Sequence, residues 1–178
     1  MILAITAVGA NQPDVIPELM QIISDSVCTV VESRLTVFAN QFAGYWCVDG
    51  NWNHIAKLEN CLSTAANRRG FKIATSRVDE SDIESGDDQA ILPYTIDVVS
   101  ADRVGIVYEL ASFLAERNIL IQDLTTSAYS ASYTGTSIFS AHIIIGIPAD
   151  VRLISLRDEF LDFCDREHLD AILEPLKR

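Results

Sequence analysis

The chain has 178 residues, 49% hydrophobic and 21% charged, which describes a folding sequence with room for one large or two small domains. Its formal net charge is −12, and its densest basic clusters are only the pairs Arg68-Arg69 and Lys177-Arg178. A duplex-binding surface needs clustered cations to neutralise phosphates, so no direct nucleic-acid partner is expected.

Ile2 to Gly9 reads as a buried strand. Asn11-Gln12-Pro13-Asp14 is a turn, with Asp14 placed to cap the next helix. Val15, Leu19, Ile22 and Ile23 recur there at helical spacing, and Pro17 is tolerable because it falls in the first turn. Ser26 to Phe38 is rich in β-branched residues, Asn40-Gln41 is a polar tip, and Phe42 to Val48 returns, giving a hairpin. Asp49-Gly50-Asn51 breaks the chain. Trp52 to Arg68 is a helix with Ile55, Leu58 and Leu62 on one face; Gly70 ends it, and Phe71 to Val78 is a last strand. Residues 80–90 belong to an acidic, Ser- and Gly-containing stretch that reads as an extended surface linker without EF-hand spacing.

The second half runs the same course. Pro93 to Ser100 is a strand, Arg103 to Arg117 a helix, and Asn118 to Ser130 with Ile138 to Ile147 a hairpin with Tyr133-Thr134-Gly135 near its tip. Asp150 to Glu167 is a helix with Leu153, Leu156, Phe160 and Phe163 inward, and Leu169 to Leu173 the last strand. Ala101 to Leu110 repeats the plan of Ala10 to Leu19 at a shift of 102 − 11 = 91, and Glu18 falls on Glu109. A repeat this long means two copies of a small domain. The expected fold class is therefore α+β: two tandem ferredoxin-like βαββαβ domains, 1–79 and 91–178, joined by the 80–90 linker. Each is an antiparallel sheet with two helices on one face.

Cys28, Cys47, Cys61 and Cys164 include no CxxC pair, and Cys28 and Cys47 sit in apolar runs, so buried free thiols are expected. His54, His142 and His168 are too dispersed to complete a metal site, and no cofactor is expected. No Ser-His-Asp or Cys-His constellation emerges, so the chain is expected not to be an enzyme. Arg34 reads as a solvated or interface charge, and Trp52 as a core or interface anchor. Met1-Ile2-Leu3-Ala4-Ile5 lacks a basic flank and a cleavage site, and it is far short of the roughly 20 residues of a membrane helix, which points to the cytoplasm.

Ala101-Asp102-Arg103-Val104-Gly105-Ile106-Val107 resembles the Asp-Arg-Pro-Gly-Ile-Val signature of ACT domains, and Asn118-Ile119-Leu120-Ile121 resembles the start of their second strand. Ile5 to Ala10, Glu32-Ser33-Arg34-Leu35 and Gly50-Asn51-Trp52-Asn53 resemble the glycine cleavage system transcriptional repressor family, which is two tandem ACT domains and little else. The resemblance implies a regulator that responds to an amino acid such as glycine, acts through a LysR-type regulator, and pairs its ACT domains. Association of two chains into a homo-oligomer stays open. The sequence departs from the signature at Val104, where Pro is usual, and at Asn11-Gln12-Pro13-Asp14 in the first repeat.

A strand-to-helix turn suits an amino-acid effector because the first amides of a helix have no partners and carry partial positive charge, which favours a carboxylate. The candidate ligand residues are Asp102, Arg103, Val104, Gly105, Ile106, Asn118 and Ile119, with Asn11 and Gln12 in the first repeat. Asp102, or a strand carbonyl near Asn118, would accept from the ligand's ammonium. Asp14 would repel its carboxylate in the first repeat. The plainer alternative is that Asp102 only caps its helix and Gly105 only packs, which leaves a structural interaction module with a decayed site.

Overall fold

A computed structural model describes residues 1–78, 91–130 and 135–177. The 80–90 linker and residues Tyr133 and Thr134 of the second hairpin tip lie outside the described residues. The chain divides into two compact units, Met1–Asp87 and Asp88–Arg178.

In the first unit β1 (Ile2–Ala10) leads to α1 (Val15–Asp25), β2 (Thr29–Phe38), β3 (Gln41–Asp49), α2 (Trp52–Arg69) and β4 (Lys72–Val78). In the second, β5 (Ile91–Ala101) leads to α3 (Ile106–Ala115), β6 (Leu120–Ser130), β7 (Ser137–Pro148), α4 (Leu153–Glu167) and β8 (Asp170–Pro175). The sheet orders are β2-β3-β1-β4 and β6-β7-β5-β8, with every pair antiparallel. These are two tandem ferredoxin-like βαββαβ folds.

Strand alternation sets which side chains the helices cover. Leu3, Ile5 and Ala7 of β1 pack with Phe42, Trp46 and Val48 of β3 against Val15, Leu19 and Ile23 of α1 and Ile55, Leu58 and Leu62 of α2. The second unit repeats this with Ile96, Val98, Ile143 and Ile145 beneath Ile106, Leu110, Leu156 and Phe160. The edge strands next to the hairpin returns, β2 and β6, carry a β-bulge at the same place, between Val30 and Glu32 and between Ile121 and Asp123. The duplication therefore reaches down to a local irregularity of the ladder.

Several boundaries move. Strand β2 starts at Thr29 because Ser26 and Val27 turn the chain, with Val27 at φ 58°. Helix α3 starts at Ile106 rather than Arg103, because Gly105 sits at φ 100°, outside any helical run. Helix α4 starts at Leu153 rather than Asp150, which lies in a turn closed by the Val151 N–H donating to Pro148 O. Gly70 ends α2 in the left-handed conformation, at φ 76°.

Candidate functional site

The second strand-to-helix turn is held from below by β7. The Asp102 N–H donates to Ser137 O at 2.9 Å, and Ser137 Oγ donates to Asp102 Oδ2 at 3.1 Å. Asp102 therefore does not cap α3; Gly105 is the N-cap residue and has no side chain to do so. The first bond closing the helix runs from Glu109 N–H to Gly105 O, 2.9 Å. The amides of Ile106, Val107 and Tyr108 thus have no backbone acceptor among the described residues, and they form the positive end of the helix.

Arg103 is committed elsewhere. Its guanidinium grips both oxygens of Glu109, at 2.8 and 2.6 Å, and reaches Glu167 Oε2 at 3.2 Å and Glu167 O at 3.3 Å. The arginine holds the Glu109 carboxyl below the usual glutamate range. Val104 is 98% exposed, whereas the Ile106 and Ile119 side chains are core, so the last two residues have only backbone to offer a ligand. Asn118 stands at φ 54° at the joint between α3 and β6; its N–H donates to Ala115 O and that of Ile119 to Leu114 O, both 3.0 Å. Glu109, Glu167 and Ser137 complete this turn without having been expected there. The recurrence of Glu18 at Glu109 is the one sequence signal for any of them.

The first turn is built differently. The Asn11 N–H donates to Asn40 O at the β2–β3 tip, 2.8 Å, and Gln12 O accepts from the Val15 N–H at 3.2 Å, so the backbone of both expected site residues is already engaged. Pro17 has no N–H, which leaves Ile16 the one amide of this helix start without a backbone acceptor among the described residues. Asp14 lies at φ −93° and its side chain makes no cap. Instead it accepts from Arg69 Nη1 at 2.7 Å, which holds its carboxyl below the usual aspartate range. Glu18 takes Arg69 Nε at 2.7 Å and also pairs with Arg68.

Other expectations change as well. Cys164 is buried, and burial pushes its thiol up to about 11, but Cys28, Cys47 and Cys61 are only half-buried because they fall near the margins of the core. Trp52 is 60% exposed, with the Arg77 guanidinium 6.0 Å from its ring; it is not a core residue. Arg34 is exposed and pairs with Glu32 across one strand at 3.4 Å. No group of three His, Cys, Asp or Glu side chains able to hold a metal ion occurs among the described residues. No helix among them is long and apolar enough to cross a membrane.

Residues 1–76 match the family model of the ACT domain. The glycine cleavage system transcriptional repressors of Escherichia coli (strain K12) and Shigella flexneri are each 32% identical over 60 residues, covering 34% of this chain and 32% of the relative. The chain thus spans about a third of the length of the curated relatives it matches. Among solved structures, one provisionally assigned as a glycine cleavage system transcriptional repressor superposes with a TM-score of 0.74 at 22% identity, over 99% of this chain and 98% of that one. A protein of unknown function from Galdieria sulphuraria gives the same TM-score at 19% identity, over 99% of this chain and 98% of that one. Residues 1–76 are thus similar to the ACT domain, and the chain resembles the glycine cleavage system transcriptional repressor in a 60-residue stretch of sequence and in the fold of its two units.

Proposed function

We propose that the chain is a non-catalytic, cytoplasmic regulatory protein that senses a small amino acid, glycine among the candidates, and controls transcription through protein contacts. The observation that carries this reading is the second turn, which joins the Asp102 carboxylate, held by Ser137, to a helix start where three amides have no backbone acceptor among the described residues. A carboxylate would sit at the amides and an ammonium at Asp102, which is the polarity of a zwitterionic amino acid. Gly105 carries no Cβ, and Glu109 Oε1 stands 3.3 Å from where one would be, so a ligand carboxylate would approach beside the Arg103–Glu109 pair. The resemblance supplies the partner, a LysR-type regulator, and the net charge of −12 favours a protein over DNA. Assembly of two chains belongs to the same proposal.

Calorimetric titration of the full chain with common amino acids tests it. The parent should bind at least one of them, and a folded Gly105→Val variant should not. Unchanged affinity in that variant would remove the turn as the site. A gel-shift with the purified chain should give no sequence-specific duplex complex at physiological salt.

A second reading, a structural interaction module with a decayed site, draws on Arg103. Its guanidinium is already held by Glu109 and Glu167 and does not face a ligand. Absence of any amino-acid binding by the folded parent is the outcome that reading requires.

A further inference from the structure

Past the second turn, an aliphatic cleft opens between α3, β6 and β7. Val107 and Ala111 of α3 form one wall, Ile121 and Leu124 of β6 the other, and Ala141 and Ile143 of β7 the floor. It contains about 210 Å³ of unfilled space, mouth included, and its enclosed part admits little more than one water-sized sphere. Every lining side chain is aliphatic. It is bounded by the segments just past the two candidate stretches, Asp102 to Ile106 and Asn118 to Ile119.

The first unit shows what fills this place when it is filled. Trp46 faces Ile5 as Ile143 faces Ile96, and Gly44 faces Ala7 as Ala141 faces Val98. At the shift of 91, Met20 stands where Ala111 stands. The Trp46 indole is 4% exposed and lies over Gly44, where even a methyl group would overlap it. In the first unit an indole thus covers the floor, and a partly buried methionine stands at the wall position. The second keeps alanine, alanine and isoleucine, and leaves the gap open. Interiors pack to crystal density, so an aliphatic gap open to solvent gains from an apolar occupant.

We propose that this cleft is a side-chain subsite, that the effector is an amino acid with a short aliphatic side chain (alanine- to valine-sized) rather than glycine, and that the first unit is sealed against the same ligand by Trp46. The proposal rests on the reading that an amino acid binds at the 102–106 turn. Glycine would leave the cleft void, and a phenyl ring is far larger than its enclosed part.

The test is calorimetric titration of the full chain with glycine, alanine, valine and phenylalanine, with methyl-group NMR to locate the binding. Each buried carbon is worth about a fourfold gain in affinity, so valine should bind at least about tenfold tighter than glycine. Phenylalanine should bind no better than glycine. Shifts should appear at Val107, Leu124 and Ala141 and not at Ile16 or Met20. Ala111→Met, which copies the first unit, should bring the ratio of valine to glycine affinity down to about one. Leu124→Ala, at a half-exposed wall position, should move the preference towards leucine. Equal affinity for glycine and valine, equal weakening of both by Ala111→Met, or shifts confined to the first unit would each overturn the proposal. Failure of every amino acid to bind would instead overturn the parent reading, and this one with it.

Discussion

The two units share one topology and solve the same local problems with exchanged parts. Each needs a residue in the left-handed conformation between its first helix and second strand, and another at the end of its second helix. The first unit uses Val27 (φ 58°) and Gly70 (φ 76°), the second Asn118 (φ 54°) and His168 (φ 56°). The permissive residue sits at the end of the second helix in the first unit and after the first helix in the second. The ion pairs are exchanged too. Arg69, at the end of α2, reaches Asp14 and Glu18; Arg103, in the turn, reaches Glu109 and Glu167 at the end of α4. The backbone plan is thus fixed by alternation and packing, while the groups that trim it drift between equivalent places. What has not been exchanged is openness: the first unit has a proline, an aspartate and an indole where the second has a tyrosine, a glycine and an isoleucine.

The largest test of that contrast is Trp46→Ala. Removing a buried indole should cost about 3–5 kcal/mol in the first unit, with little repair from Gly44. Denaturant unfolding followed by Trp52 emission reads that unit alone, since both tryptophans lie in it. A loss near that of a surface substitution would mean the indole is no plug.

Gly105→Ala comes next. At φ 100° an alanine is strained by about 1–2 kcal/mol, with its Cβ 3.3 Å from Glu109 Oε1. Asp14→Ala, at φ −93°, carries no such strain. Hydrogen exchange in α3 and α1 should show the first change and not the second.

The joint after the first helix offers a paired experiment of about 1 kcal/mol each way. A β-branched residue at φ 58° is an outlier, so Val27→Asn should stabilise the first unit and Asn118→Val should destabilise the second. Equal and opposite shifts in denaturation midpoint are the expected result.

The smallest effect is with acid. Asp14 and Glu109 have depressed values in the folded chain, because Arg69 and Arg103 donate to them. Their contribution is present above the unfolded values, about 3.9 and 4.3, and is lost as pH falls through the folded ones. Arg69→Gln and Arg103→Gln should each flatten the acid limb of the stability profile below about pH 4.

Much of this was legible in sequence. The alternation of Phe42, Gly44, Trp46 and Val48 already places the indole inward, and the spacing of Ile55, Leu58 and Leu62 fixes the face of α2. The repeat shift carries the fold from one half to the other. The turns were less legible, because a glycine's left-handed φ and a carboxylate's choice between capping and pairing depend on distant residues. Asp14 meets Arg69 across 55 positions, and Arg103 meets Glu167 across 64, so no local pattern announces either. Trp52 misleads because its amphipathic ring suits a core as well as a surface, and only the fold puts Arg77 beside it. The cleft arises where α3, β6 and β7 meet, and no local pattern announces it.

The exchanged ion pairs also bear on how a duplicated chain folds without confusing its halves. Tandem copies with similar strands risk assembling a hybrid from the opening of one copy and the close of the other. In such a hybrid, Asp14 would face Glu167 where it now faces Arg69, and Arg103 would face Arg69 where it now faces Glu167. Each mismatch sets like charges together at the very turn that starts a helix. The exchange of surface charge thus makes the two halves unlike at the very turns where their strands and helices are most alike.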